Sequence, residues 1–62
     1  MRYQIRRNGH GLTLVEAESA HFALVKFFES MDLESAAIKV GDDGSVTFVA
    51  TDGTEYYTQP PT

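Results

Sequence analysis

The side chains that could act in nucleophilic or acid–base catalysis are two histidines, His10 and His21, and four serines. None of the serines lies in the glycine-framed turn that presents a hydrolase nucleophile. Ser19 and Ser45 instead have structural explanations, as a helix cap and as the start of a strand. A chain of 62 residues rarely encloses the dry pocket that catalysis needs. We therefore predict a non-enzymatic protein.

Metal and phosphate ligation are equally poorly supported by the spacing of residues. Glu18 and His21 have the spacing of half a di-iron motif, but that motif needs further carboxylates on facing helices. The segment Asp42–Gly44 lacks the spaced oxygen ligands of a calcium loop. The glycine-rich segment Asn8–Gly11 joins two predicted strands, whereas a phosphate loop opens a helix. We predict no metal and no cofactor.

The charge of the chain is acidic, with a formal net charge of −4 and no cysteine. This balance disfavours non-specific binding to nucleic acid, which depends on a basic surface. Three of the five cations, however, are Arg2, Arg6 and Arg7, whereas the acids come later in the chain. The fold therefore decides whether a local basic face exists.

The elements that would position these residues begin with a predicted hairpin. Polar and apolar residues alternate over 2–7, which predicts a half-buried strand with Tyr3 and Ile5 on its inner face. Asn8-Gly9 is a strong signal for a two-residue hairpin turn, because both central residues of a type I′ turn have positive φ. Residues 12–15 form the predicted return strand.

A single amphipathic helix is predicted next, over 20–31, with Ser19 as its N-cap. Helical spacing places the apolar residues in one stripe that should face the core. That stripe consists of Ala20, Leu24, Phe27 and Met31, flanked by Ala23 and Phe28. No glycine closes this helix, and we expect Leu33 to turn inward in the connection that follows.

The second half of the chain predicts three more strands, over 36–40, 45–50 and 54–58, joined by turns at 41–44 and at Asp52-Gly53. The predicted fold class is α+β, with the order β-β-α-β-β-β and a mostly antiparallel sheet carrying one helix packed on one face. We predict one domain over residues 1–58 and a disordered tail over 59–62.

Two surfaces should remain uncovered in such a fold, because one helix cannot shield both faces of a five-stranded sheet. The first is the back of the helix, with Phe22, Val25 and Glu29. The second is the open face of the sheet, which follows if Tyr3, Ile5, Val46 and Phe48 face the helix. Its predicted residues are Arg2, Gln4, Arg6, Lys39, Thr47 and Val49, together with one of Tyr56 and Tyr57, for which we select Tyr56.

These surfaces predict a small non-enzymatic interaction module that binds a protein partner or its own copy. The predicted partner-binding residues are Phe22, Val25, Glu29, Arg2, Arg6, Lys39 and Tyr56. The alternative is a nucleic-acid-binding domain that uses Arg2, Arg6, Lys39 and Tyr56, since arginines and aromatic rings on a sheet can hold single strands. Two further interpretations stay open: an ordinary solvated face, and a homodimer formed through this face or an edge strand.

The cellular location can be anticipated only from absences in the sequence. No apolar run approaches the ~20 residues needed to span a bilayer, and no secretory signal is evident. We therefore expect a cytoplasmic protein without a membrane partner, borne by a phage or another mobile element.

Overall fold

Residues 1–60 fold into one antiparallel sheet of five strands, crossed on one face by a single helix. The structure is a computed structural model that describes residues 1–60. Its elements are β1 (Arg2–Arg7), β2 (His10–Glu16), α1 (Ala20–Ser30), β3 (Ser35–Val40), β4 (Val46–Ala50) and β5 (Glu55–Thr58). The strand order is β2-β1-β5-β4-β3. The predicted fold class is confirmed, and residues 61 and 62 of the predicted disordered tail lie outside the described residues.

Three short turns close the hairpins, and glycine is required in each. Between β1 and β2, Asn8 and Gly9 have φ of 50° and 87°, as the predicted type I′ turn needs. The other two turns place Gly44 and Gly53 at φ of 87° and 91°. In each of these, the glycine N–H donates to a carbonyl three residues earlier. A type I turn followed by a left-handed glycine is a common hairpin connection.

The helix begins at the predicted cap and ends in a Schellman motif. The Ser19 Oγ accepts a hydrogen bond from the Phe22 N–H at 3.1 Å. At the other end, the Leu33 N–H donates to the Phe28 carbonyl at 2.8 Å, while the Asp32 N–H donates to the Glu29 carbonyl. Asp32 takes the left-handed position, with φ of 56°, where glycine is most common. Leu33 packs against the core, as expected.

Met31 does not belong to the core, contrary to the prediction. The helix ends at Ser30, and Met31 is its C-cap, with φ of −98° and ψ of 2°. Because Asp32 then reverses the chain, the Met31 side chain lies beyond the last helical turn and is 58% exposed. The helical stripe therefore stops one turn earlier than its periodicity indicates.

The core lies between the helix and the three central strands β1, β5 and β4. Tyr3, Ile5, Val46 and Phe48 face the helix and are buried, as predicted. The predicted helical stripe without Met31 is buried as well, comprising Ala20, Ala23, Leu24, Phe27 and Phe28. The Phe28 ring meets the rings of Phe48 and Tyr56 edge-on, each with centroids 5.2 Å apart. Such edge-to-face contacts contribute about 1 kcal/mol beyond area burial.

The helix covers the centre of the sheet but not its full width. It packs mainly on β1, β2, β4 and β5. All six residues of the edge strand β3 are exposed. On the other edge, β2 is exposed along most of its length. Both edges of the sheet therefore present apolar side chains that the helix leaves exposed.

Candidate interaction surfaces

The open face of the sheet carries a row of four side chains that cross-strand register places side by side. Arg6 pairs with Tyr57, Tyr57 with Thr47, and Thr47 with Lys39. Directly paired residues of antiparallel strands point to the same face. At a strand spacing of about 4.8 Å, the backbones of Arg6 and Lys39 lie about 14 Å apart across the row. The predicted positions of Arg6 and Lys39 on the open face are confirmed.

Tyr56 does not lie on the open face, so its selection for this surface was wrong. Its side chain is 7% exposed and belongs to the core. The ring lies 5.4 Å from that of Phe27. Tyr57 takes the outward position instead, and its hydroxyl donates to Gln59 Oε1 at 2.9 Å. The aromatic residue of this face is therefore Tyr57.

The electrostatics of the open face are mixed, despite its arginines. Arg6 donates from Nε and Nη2 to Gln4 Oε1, at 3.3 Å and 3.1 Å. Arg2 lies directly opposite Glu16 in the register of β1 and β2. Glu55 lines a shallow depression of about 450 Å³ together with Arg6 and Tyr57. Among the described residues, three cations therefore share this face with two carboxylates, and its charge is mixed.

The back of the helix forms a small second surface. Phe22 is 44% exposed, and the Lys26 Nζ lies 5.4 Å from the centroid of its ring. The same ammonium donates to the Glu16 carbonyl at 2.8 Å. Lys26 therefore shields part of the ring and ties the helix to the end of β2. Glu29 is exposed, whereas Val25 is partly buried and packs against the core.

The predicted site residues do not form one site. Arg2, Arg6 and Lys39 lie on the open face of the sheet, whereas Phe22 and Glu29 lie on the outer side of the helix. The sheet and the helix separate the two groups. A single partner surface cannot include both without wrapping around the molecule.

The edge of β3 is a further exposed surface, which the sequence alone does not single out. Ile38 pairs with Phe48 and Val40 with Val46, so both side chains point towards the helix layer. They are nevertheless 48% and 71% exposed, because the helix does not extend over β3. The apolar character of 36–40 is visible in the sequence. Its position at the edge depends on strand order, which the sequence does not reveal.

The groups that could act in catalysis or metal binding are dispersed. His21 packs its ring against Phe48 at 5.4 Å, which is a structural contact. Within residues 1–60, no three histidine, aspartate or glutamate side chains gather closely enough to hold a metal ion. Hydrogen bonds from Ser45 lower the pKa of Asp43, and hydrogen bonds from Thr54 lower the pKa of Asp52. Both aspartates accept from backbone N–H groups inside hairpin turns, so their role is to shape those turns.

Comparison with protein-family models, with curated proteins and with solved structures finds no match for this chain. The described part of the chain contains no helix with both the length and the apolar character needed to cross a membrane.

Proposed function

We propose that the protein is a non-catalytic interaction module that binds an extended segment of a protein partner along the edge of β3. The observation that supports this proposal is the exposure of all six residues of this strand at the side of the sheet. An edge strand offers backbone donors and acceptors to an added strand, and side-chain pockets provide specificity.

The hydrogen-bonding pattern of the β3 backbone leaves donors and acceptors free for such pairing. The Gly41 N–H donates to the Ser45 carbonyl at 2.8 Å, which fixes which residues bond towards β4. Inward and outward bonding alternate along an antiparallel strand. Lys39 and Ala37 therefore bond towards β4, and the N–H and C=O groups of Ile38 and Val40 point outward. These four groups are available to an incoming strand.

The side chains of β3 define the apolar part of the partner. Ile38 and Val40 continue the buried layer of Phe48 and Val46 beyond the reach of the helix. A strand added to this edge would place alternate side chains beside them. Burying apolar surface contributes about 25 cal/mol per Å². A partner segment with apolar residues at alternate positions would therefore extend the core sideways.

The charges around β3 define the ends of the partner segment. Glu34 precedes the strand, and Asp42 and Asp43 follow it. Opposite charges across an interface guide association and fix register. The complementary partner is an extended apolar segment with lysine or arginine at both ends.

A second copy of the chain fits this edge less well. Two copies of β3 could pair with each other in two antiparallel registers that keep the regular part of the strand, Ala37–Val40, hydrogen-bonded. Centred on Ile38, the pairing brings Glu34 of one copy towards Asp42 of the other. Centred on Lys39, it places the two ammonium groups opposite each other. Like charges directly opposite are destabilising, so charge favours a different protein over self-association.

The edge also carries features that keep the pairing selective. The register of β3 and β4 shifts between Ser35 and Ala37, which marks a β-bulge at Ala36. Bulges and edge lysines such as Lys39 discourage indiscriminate pairing of strands. The length available to a partner is therefore short, which favours a reversible complex.

A synthetic peptide of alternating valine and threonine, flanked by two lysines at each end, tests this proposal. In a ¹H–¹⁵N NMR titration we expect the largest shifts at the amides of Ile38 and Val40. A peptide with glutamates in place of the lysines should bind at least several-fold more weakly at low salt. The double variant Ile38→Thr/Val40→Thr should lose binding, because it removes the apolar contacts but keeps β-branched residues.

The opposite edge provides a matched control for this experiment. Leu12→Thr/Leu14→Thr makes the same kind of change on β2 and should leave peptide binding unchanged. Shifts centred on β2, or equal binding by both double variants, would overturn the assignment to β3. A concentration-dependent dimer that Ile38→Thr/Val40→Thr abolishes would show instead that the edge serves a second copy.

Nucleic acid is the second candidate partner, and the row from Arg6 through Tyr57 to Lys39 supports it. A ring between two cations resembles the stacking and phosphate contacts of single-strand binders. The carboxylates of Glu16 and Glu55 on the same face oppose it. Gel-shift titration with an oligothymidine at low and moderate salt separates the candidates. Salt-sensitive binding that is lost in Arg6→Gln and in Tyr57→Ser would favour this function.

A further inference from the structure

A groove lies on the helix side of the sheet, on the flank opposite β3. It has a volume of about 490 Å³ and is lined chiefly by Arg7, Leu12, Val15, Phe27, Met31 and Tyr56. We call it the helix-end groove, since the last turn of α1 forms one of its walls. Ligand sites in proteins commonly measure about 300–1,000 Å³. The groove is therefore large enough to hold a small molecule.

Two local features of the chain create the apolar walls of this groove. A register shift between β1 and β2 leaves Leu12 as an extra residue between Gly11 and Thr13. Across the groove, Met31 extends beyond the end of the helix because the chain reverses at Asp32. Both side chains are exposed, and they line the groove together with Phe27 and Tyr56, whose ring centroids lie 5.4 Å apart.

Two of the residues that line the helix-end groove, Arg7 and Tyr56, carry hydrogen-bond donors. Arg7 pairs directly with Tyr56 across β1 and β5, so both side chains point to the helix side. Within residues 1–60, every fully buried side-chain polar atom has a hydrogen-bond partner. The Tyr56 hydroxyl has no partner in this part of the chain. The hydroxyl therefore reaches solvent. In the same described part of the chain, Arg7 forms no ion pair.

We propose that the helix-end groove binds a small amphiphilic carboxylate, such as a medium-chain fatty acid. The acyl chain would lie against Leu12, Met31 and Phe27. The carboxylate would accept hydrogen bonds from the Arg7 guanidinium and the Tyr56 hydroxyl. Charge-assisted hydrogen bonds of this kind are the strong ones in proteins. An apolar groove with a few convergent polar groups is the common form of a ligand site.

Three probes that share a ten-carbon chain test the site: decanoate, decan-1-ol and decyltrimethylammonium, with the two ions used below their micelle concentrations and the alcohol below its solubility limit. In ¹H–¹⁵N NMR titrations we expect decanoate to bind about three- to tenfold more tightly than decanol. The cationic probe should bind most weakly. The largest shifts should fall on Leu12, Met31 and Tyr56. Equal binding of all three probes, or shifts outside the groove, would overturn the proposal.

The chain supplies a matched pair of variants, because Arg6 and Arg7 are adjacent but point to opposite faces. Arg7→Gln should remove most of the preference for decanoate over decanol. Arg6→Gln makes the same change in net charge and should preserve that preference. An equal loss in both variants would show that net charge, and not the groove, selects the anion. The probe comparison on the unmodified chain stays decisive if a variant folds poorly.

Discussion

Ile38 and Phe48 are direct neighbours across β3 and β4, and both side chains point towards the helix layer. Phe48 is 3% exposed, whereas Ile38 is 48% exposed. The difference between the centre and the edge of the sheet therefore arises from the width of the helix above it, and not from which way a side chain points. The centre is buried and packed, and the edges remain exposed.

The largest expected effect contrasts Leu24 in the centre with Ile38 at the edge. Leu24 is fully buried under the central strands, so Leu24→Ala should lower the free energy of unfolding by about 2–5 kcal/mol. In a domain this small, that change should leave much of the protein unfolded. Ile38→Thr should lower it by less than about 1 kcal/mol. Urea unfolding followed by circular dichroism measures both, and similar losses would mean that the edge is also part of the core.

An intermediate effect on the free energy of unfolding is expected from Thr58, which is the single residue in the buried polar and charged class within residues 1–60. Thr58 is fully buried, and its Oγ1 donates to the Gln4 carbonyl at 2.8 Å. Thr58→Val keeps the shape but removes this link between β5 and β1, and should lower the free energy of unfolding by about 1–2 kcal/mol. Thr47→Val, on the open face of β4, is the matched control and should change it by less than about 0.5 kcal/mol. Equal effects would indicate that the buried hydrogen bond adds no stability.

The smallest effect concerns the turns at the ends of the strands. The Thr54 N–H donates to Asp52 Oδ1 at 2.9 Å, which lowers the pKa of this carboxyl below its ordinary value of 3.8. A group whose pKa is lower in the folded state stabilises the fold above its unfolded pKa, and this stabilisation is lost as the pH falls through the folded value. Asp52→Asn cannot titrate, so its melting temperature should fall slightly less on acidification to about pH 2.

The neighbouring turn provides the control for the acid titration. Asp42→Asn removes a carboxylate whose side chain accepts no hydrogen bond within residues 1–60. This variant makes the same change in net charge as Asp52→Asn, so it reports the effect of charge alone. If Asp42→Asn flattened the profile as much as Asp52→Asn, general charge repulsion would explain the acid dependence better than the turn.

The sequence predicts local structure well wherever alternation or turn chemistry is strong. Alternation over β1 correctly placed Tyr3 and Ile5 against the helix, and Asn8-Gly9 correctly marked the tightest hairpin. Alternation fails in β5, where Tyr56 and Tyr57 are adjacent and similar. The pairing of β5 with β1 and β4 decides which ring is buried. The four residues of β5 alone do not determine that pairing.

The extent of the helix and the order of the strands explain what the sequence could not predict about the candidate sites. Met31 follows the helical period, but Asp32 adopts a left-handed conformation that glycine would have signalled more clearly. The sequence around Ile38 and Val40 is typical of a buried strand, and only the strand order shows that β3 lies at the edge. The exposed edge of β3 therefore depends on how distant segments assemble, and the exposure of Met31 depends on a local reversal of the chain; hydrophobic periodicity predicts neither.

The strand at the centre of the sheet is the one that the ribosome makes last of the five. β5 lies between β1 and β4, so it alone joins the β1–β2 hairpin to the β3–β4 hairpin. Until residues 55–58 have emerged, the two hairpins share no strand pairing and only the helix contacts both, and isolated hairpins are marginal in water. Translation that stops before this point should therefore yield a fragment whose sheet is divided in two.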